Sequence, residues 1–188
     1  MVEEKKIPRG YKKTEAGVIP EEWEIKRIGD LLEVHYGKDQ RSVKDENGTY
    51  PILGSGGQIG WSNEYLYDKE SVLIGRKGTI DRPQHTEKPF WTIDTLFYTK
   101  IFGNINPKYI YYLFKTINWR SYNEATGVPS LNTTTVESIR VASPPFPEQL
   151  AIAEVLSDVD DLINSIESLI DKKQKIKQGA MQELLTGK

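Results

Sequence analysis

The chain has 188 residues, a formal net charge of -2, no cysteine and two histidines. This length accommodates one ordinary domain and one long element but not two catalytic domains, and the composition excludes disulfides, thiolate metal sites and a zinc cluster, so no metal is expected. The sequence has no stretch near the roughly 18 apolar residues of a membrane span, and its first residues lack the apolar core of a signal peptide, so we expect a cytoplasmic protein without membrane contact.

The charge is nearly balanced along most of the chain. Residues 1–141 carry 20 Lys and Arg against 19 Asp and Glu, whereas residues 142–188 carry 5 against 8. A domain that binds nucleic acid alone is usually strongly basic, because it must neutralise phosphates. Any nucleic-acid contact must therefore come from a local patch or from a partner subunit.

Residues 11–142 predict a mixed α+β domain. Short apolar runs bounded by Gly or Pro predict strands at residues 71–75 and 92–100. Apolar spacing predicts two short helices, one at residues 25–34 and one that begins at Pro107 and includes Phe114.

The sequence pattern changes after residues 143–147 (SPPFP), and one long helix is expected from Pro147 onward. Its apolar residues recur in alternating steps of three and four over about four heptads, which is typical of a coiled coil. A second row at positions 156, 163, 170 and 184 widens this apolar face. The predicted dimer interface consists of Ile152, Val155, Val159, Leu162, Ile166, Leu169, Lys173 and Ile176.

Two arrangements of this helix remain open: it packs lengthwise on its own domain, or it pairs with a second copy. Acidic residues concentrate in its first half and lysines in its second half, with Asp171 and Glu183 as exceptions. Antiparallel pairing would place acidic halves against basic halves. The preference of the helix dipole for such a gradient would produce the same order. We therefore expect two domains, 1–143 and 144–188, the second forming an antiparallel dimeric coiled coil.

Two polar segments are candidates for contacts with DNA. Residues 75–79 (GRKGT) place two cations on an expected turn, from which Arg76 and Lys77 would extend into solvent toward a phosphate or a guanine edge. An ordinary charged hairpin explains these two cations equally well. Residues 126–135 supply many short donors, although a structural turn with a helix cap at Asn132 or Thr133 explains them equally well. The predicted DNA-binding residues from these segments are Arg76, Lys77, Thr79, Ser130, Asn132 and Thr133, and the prediction also includes four residues outside them, Lys38, Arg41, Ser55 and Arg82.

No catalytic residue is expected. Residues 143–146 (SPPF) look like the tetrapeptide with which amino-methyltransferases hold a target amine, but no cofactor loop accompanies them, and a proline-rich stop before a helix explains them. Residues 54–60 (GSGGQIG) lack the Lys-Ser/Thr of a phosphate-binding loop, and a turn between strands accounts for them.

Motifs along nearly the whole chain resemble those of one known family, the specificity subunits of Type I restriction-modification systems. The motifs are GYKKTEAGVIPEEWE at 10–24, YPILGSGG at 50–57, IGRKGTI at 74–80, PFW at 89–91 with DT at 94–95, ATGVPSLN at 125–132, PPFPEQ at 144–149, IAEVLSDVD at 152–160 and KQGAMQELLTGK at 177–188.

This resemblance implies a target-recognition domain followed by a helix. Subunits of the family usually contain two such units, whereas this chain contains one, so it resembles a half-subunit or a fragment of a longer chain. The implied role is non-catalytic reading of one half of a bipartite DNA site, with homodimerisation through the helix. Implied partners are double-stranded DNA, modification subunits that methylate adenine with S-adenosylmethionine, and restriction-motor subunits; this chain itself would hold no cofactor.

Three alternatives remain at this stage. One is the specificity part of a fused restriction-modification enzyme, which has the same type of domain. Another is a coiled-coil adapter whose globular domain binds protein or carbohydrate. The last is an independent methyltransferase.

Overall fold

The computed structural model describes residues 7–187, and the chain divides into two compact units, Met1–Leu150 and Ala151–Lys188. The first unit mixes strands with short helices, and a long helix follows, so the predicted α+β class is confirmed. The strands are β1 (Tyr11–Thr14), β2 (Gly17–Pro20), β3 (Glu24–Arg27), β4 (Leu32–Tyr36), β5 (Tyr50–Gly54), β6 (Gly57–Ser62), β7 (Ser71–Gly75), β8 (Gln84–Thr86), β9 (Trp91–Thr92), β10 (Leu96–Ile101) and β11 (Arg140–Ser143). The helices are α1 (Pro107–Thr116), α2 (Thr133–Ser138) and α3 (Phe146–Thr186), with 3-10 turns at Ile28–Asp30 and Trp119–Tyr122.

A four-stranded antiparallel sheet in the order β4-β10-β7-β8 forms the centre of the first unit. Every residue of β7 is buried, which explains why its sequence is continuously apolar after Ser71 rather than alternating. Leu73 of β7 packs with Phe90, Leu96 and Tyr98 in one buried cluster. The predicted strand at residues 71–75 is confirmed.

Two buried hydroxyl groups extend the pairing of β7 with β10. The Ser71 hydroxyl donates to the Thr99 carbonyl at 2.7 Å and accepts from the Thr99 amide at 3.0 Å. The Thr99 hydroxyl donates to the Val72 carbonyl at 2.9 Å and accepts from the Val72 amide at 3.1 Å. These bonds satisfy backbone groups that would be costly to bury unpaired.

Smaller sheets complete the unit. β5 pairs with β6 in an antiparallel hairpin and with β9 in parallel, and β3 pairs with β11. The glycine-rich residues 54–60 span the turn of the β5–β6 hairpin, which lies at residues 55–56, and Gly57 directly after it has φ of 114°. A positive φ favours glycine. The interpretation of this segment as a turn between strands is thus confirmed.

The helix predicted at residues 25–34 is wrong. This segment forms β3, a 3-10 turn and β4. β3 pairs with β11, and β4 pairs with β10. Both partners lie far away in sequence, and their backbone hydrogen bonds outweigh the local helical spacing of apolar residues.

The strand predicted at residues 92–100 is interrupted. β9 ends at Thr92 and β10 begins at Leu96, and a turn lies between them. Gly37 packs so closely on this turn that an added Cβ would lie 2.0 Å from the Ile93 carbonyl oxygen. The chain thus turns at residues 93–95, although the composition of this segment still suits a strand.

The helix predicted from Pro107 is confirmed as α1. Asn106 caps it, with its side-chain oxygen accepting from the Tyr109 amide at 2.9 Å, and Pro107 occupies the first turn. Tyr109, Ile110 and Phe114 form its buried face. The ring of Phe114 packs edge to face against Trp119, with ring centroids 5.0 Å apart.

The predicted long helix is α3, which has 41 residues and begins at Phe146, one residue before the expected start. Large apolar side chains along it are exposed, including Val155, Leu162, Ile166 and Leu169. None of the helices described between residues 7 and 187 is long and apolar enough to cross a membrane.

Candidate nucleic-acid interface

The turn that follows β7 is held in one shape by glycines and backbone hydrogen bonds. A Cβ added to Gly75 would lie 2.0 Å from the Thr79 carbonyl oxygen, so only glycine fits there, and Gly78 has φ of 81°. The amides of Arg76 and Lys77 donate to the Thr95 carbonyl at 2.8 and 3.2 Å. The Gly78 amide donates to the Pro129 carbonyl at 2.9 Å. The segments that contain Thr95 and Pro129 thus hold the backbone of the turn by hydrogen bonds.

Three distant segments bring polar side chains together at this turn. Lys77 and Ser130 form an isolated antiparallel bridge, and the Leu131 amide donates to the Arg76 carbonyl at 2.9 Å. A Cβ at Gly78 would lie 3.7 Å from the Ser55 hydroxyl. Ser55, Lys77 and Ser130 therefore share one surface, which we call the turn surface.

The two cations of the turn differ in environment. Lys77 is exposed, and residues 7–187 offer its ammonium group no hydrogen bond or ion pair. The side chain of Arg76 is 28% exposed, and its guanidinium donates from Nη1 to the Asp94 carbonyl at 3.0 Å. The same nitrogen lies 3.9 Å from the Asp94 carboxylate, and the guanidinium lies 5.2 Å from the centre of the Tyr36 ring. The expectation that both cations extend into solvent therefore holds only for Lys77.

The side chain of Asn132 belongs to a helix cap. Its oxygen accepts from the Thr135 amide at 2.7 Å, which confirms the expected cap at the start of α2, and its nitrogen donates to the Glu124 carboxylate. Thr133 is half-buried in the first turn of α2. The structural interpretation of residues 126–135 thus accounts for Asn132, whereas Ser130 remains part of the turn surface.

The remaining predicted contacts lie on other segments. Lys38 is exposed, and its carbonyl accepts from the Trp91 indole at 3.0 Å. Arg41 binds Asp39 at 2.7 Å, and its hydrogen bonds lower the pKa of that carboxyl group. Arg82 is exposed, and Thr79 is half-buried within the turn. Arg41 therefore carries a partly neutralised charge.

Tyr36 and Asp94 contribute to the site, and the sequence interpretation missed them. Tyr36 lies at the end of β4 and is exposed, with its ring edge to face against Phe97 at a centroid distance of 5.1 Å. An exposed aromatic residue at a strand end is a signal that could have drawn attention to Tyr36. Asp94 lies in the turn that breaks the predicted strand, so its position could not be predicted without that turn.

A second group of titratable side chains lies elsewhere on the first unit. Ligand atoms of Glu70, His85 and Glu87 lie within 4.8 Å of one another, an arrangement that the low histidine count did not suggest. His85 contacts Glu70 at 2.7 Å, and the Lys108 ammonium lies 3.3 Å from Glu87. The group thus already includes a cation.

The SPPF segment is closely packed. Ser143 ends β11 and is buried, and the Pro144 carbonyl accepts from the Gln149 side chain at 2.9 Å. The methyltransferase motif that it resembles uses this carbonyl to hold the target amine. Here one lone pair of the carbonyl already accepts from Gln149, as expected of a segment that leads into a helix.

These features lie in a chain with known relatives. A family model described as Type I restriction modification DNA specificity domain matches residues 20–178. The chain belongs to this family. The family membership suggested by the sequence motifs is thereby confirmed.

The comparisons also connect the chain to individual proteins. It is 29% identical to the type I restriction enzyme MjaVIII specificity subunit of Methanocaldococcus jannaschii over 89% of this chain and 43% of that relative. It is 26% identical to the type I restriction enzyme EcoDI specificity subunit of Escherichia coli over 87% of this chain and 36% of that relative. This specificity-domain chain thus spans less than half the length of these curated relatives.

A solved structure has the same fold. The crystal structure of the type I restriction-modification system S subunit from M. genitalium matches 87% of this chain and 46% of that one, with a TM-score of 0.70 and 17% identity. The likeness shows the fold, and the relatives named as specificity subunits do not favour the adapter alternative.

Proposed function

We propose that the chain is a non-catalytic DNA-recognition half-subunit of a type I restriction-modification system. It reads one half of a bipartite site and directs adenine methylation and cleavage by partner subunits. The observation that carries the proposal is the turn surface, where the exposed Lys77 of a hydrogen-bonded turn meets two serines from other segments of a DNA specificity domain. Lysine neutralises phosphate, and serine hydroxyls bond to phosphates or base edges.

The partners in this proposal supply what the chain lacks. Modification subunits bind S-adenosylmethionine and carry the methyltransferase centre, and restriction-motor subunits join them for cleavage in the cytoplasm. In this proposal the cofactor belongs to the partners and this chain needs no metal, and the hydrogen bond from Gln149 to the Pro144 carbonyl argues against a methyltransferase site of its own. Because the net charge is -2, the partners also supply part of the affinity for the DNA backbone.

Domain 144–188 forms an antiparallel dimeric coiled coil in this proposal. Support comes from the large apolar side chains that the described part of α3 exposes, an arrangement typical of surfaces that pair with another helix. Antiparallel pairing also sets the acidic first half of each helix against the lysine-rich second half of its partner. The proposed dimer then contains two copies of domain 1–143, one on each chain.

A methylome tests this function. The gene for this chain and its neighbouring modification gene are expressed together in cells that lack other adenine methylation, and plasmid DNA is sequenced for N6-methyladenine. We expect one bipartite motif that disappears when the gene for this chain is removed. Methylation that persists without the chain, or the absence of any motif while both proteins are present and assembled, would contradict the proposal.

A further inference from the structure

Arg76 and Lys77 are neighbours with opposite surroundings, which suggests two different roles at the turn surface. The guanidinium of Arg76 is already held by the carbonyl of Asp94 and lies over the ring of Tyr36. The ammonium group of Lys77 has no hydrogen bond or ion pair among the described residues 7–187, although its backbone amide donates to the Thr95 carbonyl. We infer that Arg76 is a positioning residue that fixes the turn through Tyr36 and Asp94, while Lys77 is the cation that meets a DNA phosphate. This inference rests on the proposed function.

The charge around Arg76 argues against a direct phosphate contact. The Asp94 carboxylate lies 3.9 Å from the Arg76 guanidinium and is itself exposed. A phosphate that approached Arg76 would also approach this carboxylate and be repelled by it. The Nη1 group that bonds to the Asp94 carbonyl and the guanidinium face over the Tyr36 ring are already engaged, so fewer of the Arg76 donors are available to a phosphate.

The backbone links Arg76 to the position of Lys77. The amides of Arg76 and Lys77 share the Thr95 carbonyl, one residue beyond the Asp94 carbonyl that the guanidinium binds. The side chain of Arg76 and the backbone of the turn thus both bind residues 94–95. A lysine that extends from a fixed turn loses less freedom on binding than one on a mobile loop, so the anchoring of Arg76 strengthens the contact made by Lys77.

Salt dependence of DNA binding separates the two roles. The chain is assembled with its modification subunits and bound to a duplex containing the methylated motif at about 50–200 mM salt. Lys77→Gln should reduce the magnitude of the negative slope of log affinity against log salt by about 0.9, as expected when one phosphate contact is lost. Arg76→Gln should weaken binding about 3- to 10-fold at every salt concentration without changing the slope. A slope that falls equally in both variants, or an Arg76→Gln variant with unchanged affinity, overturns the inference.

Conservative variants distinguish anchoring from a general loss of structure. Tyr36→Phe keeps the ring beneath the guanidinium and should bind DNA as the unmutated chain does, whereas Tyr36→Leu should behave like Arg76→Gln. Arg76→Lys should not rescue binding, because an ammonium group cannot make the same planar contacts with ring and carbonyl. Rescue by Arg76→Lys would indicate that charge alone matters and would contradict the positioning role.

Amide hydrogen exchange tests the anchor without DNA. In the free chain, Arg76→Gln and Tyr36→Leu should speed exchange of the amides of residues 76–78 by about tenfold, whereas Lys77→Gln should leave them protected. Unchanged protection in Arg76→Gln would refute the anchor. Because this measurement needs no DNA, it decides the role of Arg76 even if the assembled, unmutated chain shows no sequence-dependent binding, an outcome that would refute the proposed function instead.

Discussion

The Tyr109 hydroxyl couples the stability of the first unit to pH. It donates to the Ala142 carbonyl at 2.8 Å, and burial, with a smaller effect of the Glu148 carboxylate, raises the pKa of Tyr109 well above its ordinary value. Tyr109 therefore stays protonated in the folded chain under conditions in which it ionises in the unfolded chain. Its contribution to stability is complete below about pH 10 and is lost as the pH rises further.

Replacing Tyr109 by Phe tests this coupling. At neutral pH, Tyr109→Phe should lower the free energy of unfolding by about 1 kcal/mol, because the Ala142 carbonyl loses its donor. Above about pH 10, the unmutated chain should lose stability more steeply than the variant, by at most about 1.4 kcal/mol per pH unit. Denaturant unfolding between pH 7 and 11 measures both effects. The control Tyr11→Phe, at an exposed ring, should follow the unmutated profile, and parallel profiles for Tyr109→Phe would contradict the coupling.

Gly75 is the residue on which the shape of the turn surface depends most directly. Gly75→Ala forces a Cβ into the Thr79 carbonyl and should lower the free energy of unfolding by about 2 kcal/mol or more. The same change should weaken DNA binding. The matched control is Gly56→Ala, because a Cβ there meets nothing within 4 Å and φ is not positive. Thermal unfolding of both variants checks this, and equal stability would show that the backbone at Gly75 adapts.

At the scale of elements, α3 presents an apolar stripe that the proposed function assigns to dimerisation. Leu162→Asp or Ile166→Asp places a charge in this stripe, where desolvation without a partner costs several kcal/mol, and should convert the dimer to monomer. Asn164→Asp adds the same charge on the opposite side of the helix and should leave the dimer intact. Sedimentation of all three variants at micromolar concentrations measures this. A monomeric unmutated chain, in the absence and in the presence of modification subunits, would contradict dimerisation.

Elements whose signals are local could be predicted from the sequence, and elements that depend on distant pairing could not. The start of α1 at Pro107 and the cap at Asn132 depend on side chains within three residues of the helix start. By contrast, β3 and β4 exist because β11 and β10 provide hydrogen-bond partners. The local sequence of residues 25–34 does not indicate that β3 and β4 pair with these distant strands.

The candidate site follows the same division. The exposure of Lys77 could be expected from a glycine-bounded turn after an apolar strand. The contacts of the half-buried Arg76 guanidinium with Tyr36 and Asp94 could not, because those residues come from separate segments that the sheet brings together. The contribution of Ser130 to the same surface likewise depends on a long-range bridge to Lys77.

For the whole molecule, the proposed dimer makes α3 a ruler between two half-sites. Two identical domains related by a twofold axis must read inverted repeats, so the methylated motif should be palindromic with an unread spacer. The 41 residues of α3 span about 62 Å at ~1.5 Å per residue, more than the ~34 Å of one DNA turn. The helix is therefore long enough to keep two domains one turn of DNA apart.

Inserting one heptad next to Ile166 tests the ruler. It keeps the apolar phase of the helix and lengthens it by roughly 10 Å, or about three base pairs. The insertion should leave the half-sites unchanged and widen the spacer, as measured from the methylome of cells carrying the variant. A four-residue insertion, which disturbs the apolar phase, is the control and should impair dimerisation. An asymmetric motif, or a spacer that ignores the heptad in a folded dimer, would contradict the ruler.

The strand pairings of the first unit also determine when it can fold during synthesis. β4 leaves the ribosome long before its partner β10. β3 likewise cannot pair until β11, which ends at Ser143, has been synthesised. Sheets built from such distant segments fold slowly, because closing the intervening chain costs conformational entropy before strand pairing stabilises the sheet. The nascent domain therefore carries open strand edges until β11 emerges, and chaperones that shield such edges should bind it throughout that interval.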